Sequence, residues 1–278
     1  MDLSFQALVM GIVQGLTEFL PVSSSGHLIL VPWFFGWKDP FIDSLAFSVM
    51  LHMGTLLALL VYFWRDWVRI IPAGLATIGD RSLRGDPDRK LAWLIAVATI
   101  PAVLVGPLFS GPVEDAVRDP AKVAVMLCVG AAILWLAERW GSKLRDMASI
   151  SFPGAVGIGI AQVFALVPGI SRSGISISAG LFLGLSRESA ARFSFLMATP
   201  VVAGAGLWEA RKLLTHEAGV TPEAHLIAIG FVAAAFSGLL AIRFMLEFLR
   251  RQPVTLFVVY RVLLAAAVFI VLLSPHGA

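Results

Sequence analysis

Glu18 lies inside a strongly apolar stretch, and the polar residues close to it in sequence are of the kinds that bind anions and move protons. The run from Gly11 to His27 supplies an amide, a carboxylate, three hydroxyls and an imidazole, carried by Gln14, Glu18, Ser23, Ser24, Ser25 and His27. Gln14 and Glu18 are four residues apart and so share one helix face. An ionisable side chain in so apolar a setting costs a few kcal/mol to bury, which makes Glu18 a site candidate. The competing reading leaves it solvated at an interface. Ser24 and His27 are three apart, within reach of each other as a nucleophile and its base or acid if that turn is helical. Serine and glycine clusters also let helices pack closely, so the hydroxyls alone do not establish chemistry.

A second run, from Gly159 to Gly174, ends in Ser171, Arg172, Ser173 and Gly174, with Ser176 just beyond. A guanidinium flanked by hydroxyls and by the free N–H groups of a helix start suits a phosphate. Arg261 is a second cation inside an apolar stretch. It is expected either to reach a polyanion or to pair with Glu18. His52 has no acidic or cysteine neighbour at ligand spacing and reads as structural, while His216, His225 and His276 lie in or beside loops. None forms a zinc motif. Two cations with N–H donors suit a multiply charged anion, and the apolar surroundings suit a lipid tail. Lipid-phosphate chemistry and transport of a phosphate-like anion both fit.

The elements that hold these residues must be membrane helices. The 278 residues are 58% hydrophobic and 14% charged, with a mean hydropathy of +0.87, against about 25% charged in soluble domains. Six stretches qualify or come close as spans of about 20 residues: Leu45 to Trp64, Leu91 to Gly111, Ala121 to Ala137, Ala190 to Leu207, Leu226 to Leu249 and Val254 to Leu273. No period-2 strand pattern appears, which argues against a β-barrel. The two polar runs align without gaps: Gly11 on Gly159, Ile12 on Ile160, Gln14 on Gln162, Ser23 on Ser171, Ser25 on Ser173 and Gly26 on Gly174. Each is an apolar arm, a proline, a Ser/Gly cluster and a second apolar arm (Leu28 to Gly36; Ile175 to Leu185), too short to cross fully. That form predicts re-entrant hairpins. The fold expected is an all-α polytopic membrane protein, one domain over 1–278. Inverted repeats of approximately 1–140 and 150–278 would bring the two hairpins together near the midplane, with about six full spans around them.

Charge sets the expected orientation. The net charge of +3 and pI near 9.3 reflect basic loops on the cytoplasmic side rather than nucleic-acid binding. Arg65, Arg69, Arg81, Arg84, Arg89 and Lys90 crowd one such loop, Arg139, Lys143 and Arg145 another, and Arg250 with Arg251 a third. The loop from Ser110 to Pro120, with Glu114, Asp115 and Asp119 against Arg118, reads as external. The first hairpin then enters from outside and the second, followed by Arg187 and Arg192, from the cytoplasm. The lone Cys128 indicates no disulfide. The N-terminus has no basic n-region, so the first segment is expected to be retained.

The run from Gln14 to His27 and the run Val167-Pro-Gly-Ile-Ser-Arg-Ser-Gly174 resemble the two signatures of the bacterial undecaprenyl-diphosphatase, or bacitracin-resistance, family. The resemblance covers essentially the whole chain, including the Tyr260-Arg261 pair. It implies hydrolysis of undecaprenyl diphosphate to undecaprenyl phosphate and inorganic phosphate, recycling the carrier for peptidoglycan and conferring bacitracin resistance. It further implies dependence on a divalent cation (Mg or Ca) and a site open to the external face of the bacterial cytoplasmic membrane. By position, Glu18, Ser24, His27 and Arg172 fall on the family's functional residues, with Ser171 and Arg261 also matching. Arg172 and the backbone from Ser171 to Gly174 would clamp the diphosphate, and Gln14, Ser23, Ser25, Gly26, Ser173 and Ser176 would complete the binding set. Ser24 could attack with His27 assisting, His27 could take the phosphoryl group, or either could activate water. Glu18 would orient His27 or hold the cation. Many members carry a second Glu where this chain has Gln14, so Glu18 would do more alone. The expected partners are the polyprenyl diphosphate lipid, membrane lipids and a second copy in a homodimer, without nucleic acid. The alternative is an inverted-repeat transporter or lipid flippase.

Overall fold

The structure, a computed structural model, describes residues 2–83, 85–215, 221 and 223–274, without the side chains of 109–117, 213 and 214. Arg84, His216 and His276 and the side chains of Glu114 and Asp115 therefore lie outside the described residues. Among those residues the chain forms eleven α-helices and no strands, and six helices are long and apolar enough to cross a membrane. These six are α3 (Leu45–Tyr62), α5 (Pro87–Val117), α6 (Pro120–Trp140), α9 (Arg187–Leu214), α10 (Ala224–Arg251) and α11 (Thr255–Leu273). They coincide with the six stretches read from the sequence.

The shorter helices come in two broken pairs, α1 (Leu3–Phe19) with α2 (Ser24–Phe35) and α7 (Phe152–Val163) with α8 (Arg172–Phe182). At 1.5 Å per residue α1 is roughly 25 Å long and the other three roughly 16–18 Å, short of a 30 Å hydrocarbon core. Both second arms start earlier than expected, so the serine clusters belong to their first turns. The cause is the cap. Ser23 and Ser171 both take the left-handed conformation, φ 75° and φ 76°. Each accepts a hydrogen bond from the glycine three residues on, Gly26 or Gly174, so the helix begins at the next residue.

Two expectations about loops are corrected. Residues 64–80, read as a basic loop, form a further helix, α4 (Trp64–Asp80). Trp64, Val68, Ile71, Leu75 and Ile78 recur every three or four residues and make one exposed apolar stripe, with Ile70 and Thr77 buried on another face. That is the pattern of a helix lying in an interface. The loop expected from Ser110 to Pro120 is also mostly helical, because α5 continues to Val117. A helix need not stop where its apolar stretch does.

Small residues set the packing of the first arms. An added Cβ at Gly11 would meet Gly230 O at 2.4 Å, and one at Gly15 would meet Ala234 O at 2.5 Å, so α1 lies directly on α10. In the second pair, a Cβ at Gly159 would come 2.2 Å from Ala98 O, which seats α7 on α5. The basic loops gather at one end of the bundle. Arg187 pairs with Glu138, Arg192 with Asp66 (2.7 Å), Arg250 with Glu188 (2.8 Å), and Lys90 reaches Ala148 O (2.8 Å).

Candidate active site

The two breaks touch. Gly169 N donates to Ser23 Oγ (3.1 Å), and Ser173 Oγ donates to Leu20 O (3.0 Å). This contact brings the first residues of α2 and α8, Ser24 and Arg172, to one carboxylate. Glu18, in the last turn of α1, accepts from Arg172 Nη2 on Oε1 (2.6 Å) and from Ser24 Oγ on Oε2 (2.6 Å). Gln14 Nε2, one turn back on α1, donates to the same Oε2 (3.0 Å). Two helix N-termini thus open beside a buried carboxylate already paired with a guanidinium. Their first-turn N–H groups have no partner within the helix and favour an anion.

His27 belongs to a different set of contacts. Its Nδ1 lies 2.7 Å from Ser23 O; a carbonyl only accepts, so the proton is on Nδ1 and Nε2 is left to accept from Tyr260 Oη (2.7 Å). The Tyr260 ring lies parallel to it, 5.7 Å between centroids. The Ser24–His27 hydrogen bond expected from their spacing is therefore absent, because Ser24 turns back toward α1 while His27 is held on Tyr260. For the same reason it is Ser23 and Tyr260, and not Glu18, that orient His27.

Arg261 does not pair with Glu18. Fully buried, it donates to Leu127 O (3.2 Å), Pro21 O (3.3 Å), Gly169 O (2.5 Å) and Ile170 O (2.8 Å). Three of those carbonyls lie in the two breaks, where no helix supplies a donor. Arg261 ties the breaks together from behind. Gly174 lies directly beneath it, since a Cβ there would come 3.1 Å from Nη1. Gly26 is buried too, its missing Cβ 3.2 Å from Ser23 Oγ. Ser23 and Ser171 are the caps, and Ser176 Oγ bonds Arg172 O (2.7 Å) and Ser194 Oγ (2.6 Å).

A cavity of about 480 Å³ leads to this junction between α2, α3 and residues 36–44. Ser25 and His52 line it. His52 is the residue that sequence reasoning missed: its Nε2 lies 3.5 Å from Glu18 Oε2. No local spacing could have revealed it, since the contact spans 34 positions and depends on how α3 packs against α1. Lys38, Asp43 and Arg118 line the cavity further out. Partial burial raises the Asp43 carboxyl above its ordinary value, while the Asp39 N–H pulls it back. Lys38 and Arg118 place two cations along the cavity, which suits entry of an anion.

The donor set can be weighed against a divalent cation. Among the described residues no three His, Cys, Asp or Glu side chains cluster. Glu18, the Ser24 hydroxyl and Gln14 are nonetheless hard oxygen donors, and Gln14 Oε1 is buried with no hydrogen-bond partner. Mg²⁺ is commonly held by one or two carboxylates together with substrate phosphates. The residues fit such a cation.

The bacitracin resistance protein BacA family matches residues 7–267. An undecaprenyl-diphosphatase of Desulforudis audaxviator is 44% identical over 273 residues, 97% of this chain and 98% of that protein. Relatives of the same name from Rubrobacter xylanophilus, at 46% identity over 96% of this chain and 98% of the relative, and Caldicellulosiruptor bescii, at 45% over 95% and 96%, are as similar. A match running through both broken pairs and all six long helices makes this chain a member of the bacitracin resistance protein BacA family.

Proposed function

We propose that this chain hydrolyses undecaprenyl diphosphate to undecaprenyl phosphate and inorganic phosphate in the bacterial cytoplasmic membrane. The lipid carrier is thereby returned to peptidoglycan synthesis, and bacitracin loses its target. The observation that carries this reading is the convergence of Ser24 and Arg172, from two helix starts, on Glu18.

The terminal phosphate docks at the paired N-termini of α2 and α8 and draws Arg172 from Glu18, freeing one carboxylate oxygen. The attacking oxygen, the Ser24 hydroxyl or a water in its place, gives its proton to Glu18 as it bonds to the terminal phosphorus. The bridging P–O bond breaks, and undecaprenyl phosphate leaves with the electron pair. If Ser24 attacks, Glu18 passes that proton to the departing undecaprenyl phosphate; water then attacks the phosphorylated Ser24, Glu18 taking its proton and returning it to Ser24 Oγ as the P–O bond breaks. A divalent cation held by Glu18 and Gln14 would neutralise charge on the phosphate oxygens. His27, one turn along α2 on Tyr260, supports the start of that helix, and Ser25 faces the incoming lipid headgroup.

The hairpins are re-entrant and related as inverted repeats, which the matched caps at Ser23 and Ser171 and the parallel seating of α1 on α10 and α7 on α5 support. The site faces outward, because residues 36–44 and Arg118 at the cavity lie away from the basic loops, and positive charge marks the cytoplasmic side. Phe19, next to Glu18, packs in one core with Phe63, Phe193 and Phe195, edge-on to Phe195 at 5.3 Å.

Purified protein in detergent should release phosphate from undecaprenyl diphosphate, lose that activity with a chelator and regain it with Mg²⁺. Failure to release phosphate from a folded, metal-supplied sample would return the flippase reading to the front.

A further inference from the structure

The geometry points to His52 as a direct ligand of the divalent cation, sharing it with Glu18 and the Gln14 amide oxygen. This rests on the reading of the site as a cation-assisted phosphatase and deepens it, because it gives the site a second strong ligand that no carboxylate supplies.

His52 Nδ1 lies 2.8 Å from Ser48 O, and that carbonyl can only accept. The Nδ1 proton is therefore fixed, and in the neutral ring Nε2 carries a lone pair. That lone pair faces Glu18 Oε2 at 3.5 Å. Two acceptors facing each other at this separation need something positive between them. Gln14 adds a third acceptor, since its Oε1 is buried without a partner while its Nε2 touches the same carboxylate oxygen. A turn of the amide would bring that oxygen toward Glu18, which is favourable only if a cation is there. Arg172 occupies the opposite oxygen, Oε1, so the oxygen facing His52 is held only by the neutral donors of Ser24 and Gln14, and no side-chain cation other than His52 itself is in contact with it among the described residues. His52 also lines the cavity, so a cation held here would have substrate phosphates within reach to complete its coordination.

The competing arrangement is a protonated His52 in a plain ion pair with Glu18. The two differ in what a bound metal senses. Imidazole nitrogen favours first-row transition ions over Mg²⁺ and Ca²⁺, so the wild-type protein should bind Mn²⁺ about tenfold or more tightly than Mg²⁺.

The experiment titrates Mn²⁺ into detergent-solubilised protein, followed by electron paramagnetic resonance with Mg²⁺ as competitor and spin-echo detection of directly bound nitrogen. The wild type should show one site with an imidazole nitrogen signal. In His52→Gln the signal should vanish and Mn²⁺ binding weaken about tenfold, with the elution profile and unfolding midpoint retained. Glu18→Gln should abolish binding. Unchanged Mn²⁺ affinity and nitrogen signal in His52→Gln, or no nitrogen signal in the wild type, would overturn the ligand assignment and leave the Glu18 cation site standing. A folded wild type that binds no Mn²⁺ at millimolar concentration would overturn both.

Discussion

Arg172→Ala lowers phosphate release from undecaprenyl diphosphate by about a thousandfold or more in a protein that still folds and inserts. Among the described residues Arg172 is the one guanidinium in contact with Glu18, and it starts the helix whose N-terminus faces the site. Its other nitrogen, Nη1, reaches Ser194 O at 3.4 Å, so the side chain is held from two directions before any substrate arrives. A planar fork fixed in this way can pass from carboxylate to phosphate without losing its anchor. A lysine has a single charged centre and cannot keep both contacts. Arg172→Lys should therefore recover only a small part of the lost rate. Glu18 keeps its bonds from Gln14 and Ser24 in the alanine variant, and the breaks keep theirs, so the fold survives. The measurement is phosphate release beside an elution profile in the same detergent. Near-normal turnover by Arg172→Ala would remove the phosphate-clamp role.

Arg261→Ala should fail differently, by losing the fold rather than the chemistry. Removing the guanidinium strands the carbonyls of Pro21, Gly169 and Ile170, which have no helical donors, at a fully buried position. A buried acceptor left unpaired costs about 1–3 kcal/mol, so three together give a loss of about 4 kcal/mol or more. The expected observation is a strongly lowered unfolding midpoint in detergent, or no monodisperse protein at all. Arg261→Lys should rescue little, because one ammonium cannot reach carbonyls from α6 and both breaks together. An Arg261→Ala protein of wild-type stability that is merely inactive would place Arg261 at the substrate instead.

The long helices were legible because membrane spans announce themselves by length and composition alone. The broken pairs were legible for a more local reason. A serine forced to positive φ as a helix cap carries its glycine partner three residues on, and that pattern occurs twice, at Ser23 and Ser171. The helix at 64–80 was also written in the sequence, in the spacing of Trp64, Val68, Ile71, Leu75 and Ile78, but its arginines drew attention to charge instead of period. Other features had no local trace. The partners of Arg261 are backbone carbonyls, which look alike in any sequence. His52 meets Glu18 only because α3 and α1 pack side by side, and Ser24 chooses Glu18 over His27 because of where the break turns the first residue of α2.

Glu18 is the point where Gln14, Ser24, His52 and Arg172 meet, so the most direct measurement is single-turnover phosphate release by Glu18→Gln beside the wild type in the same micelles. The amide keeps one oxygen and nearly the same shape, but it can neither take the proton of the attacking oxygen nor balance a cation. Release should fall by about a hundredfold with the unfolding midpoint little changed. Release within a few-fold of the wild type from folded Glu18→Gln would contradict it, and the reacting centre would then have to lie away from the junction of the two hairpins.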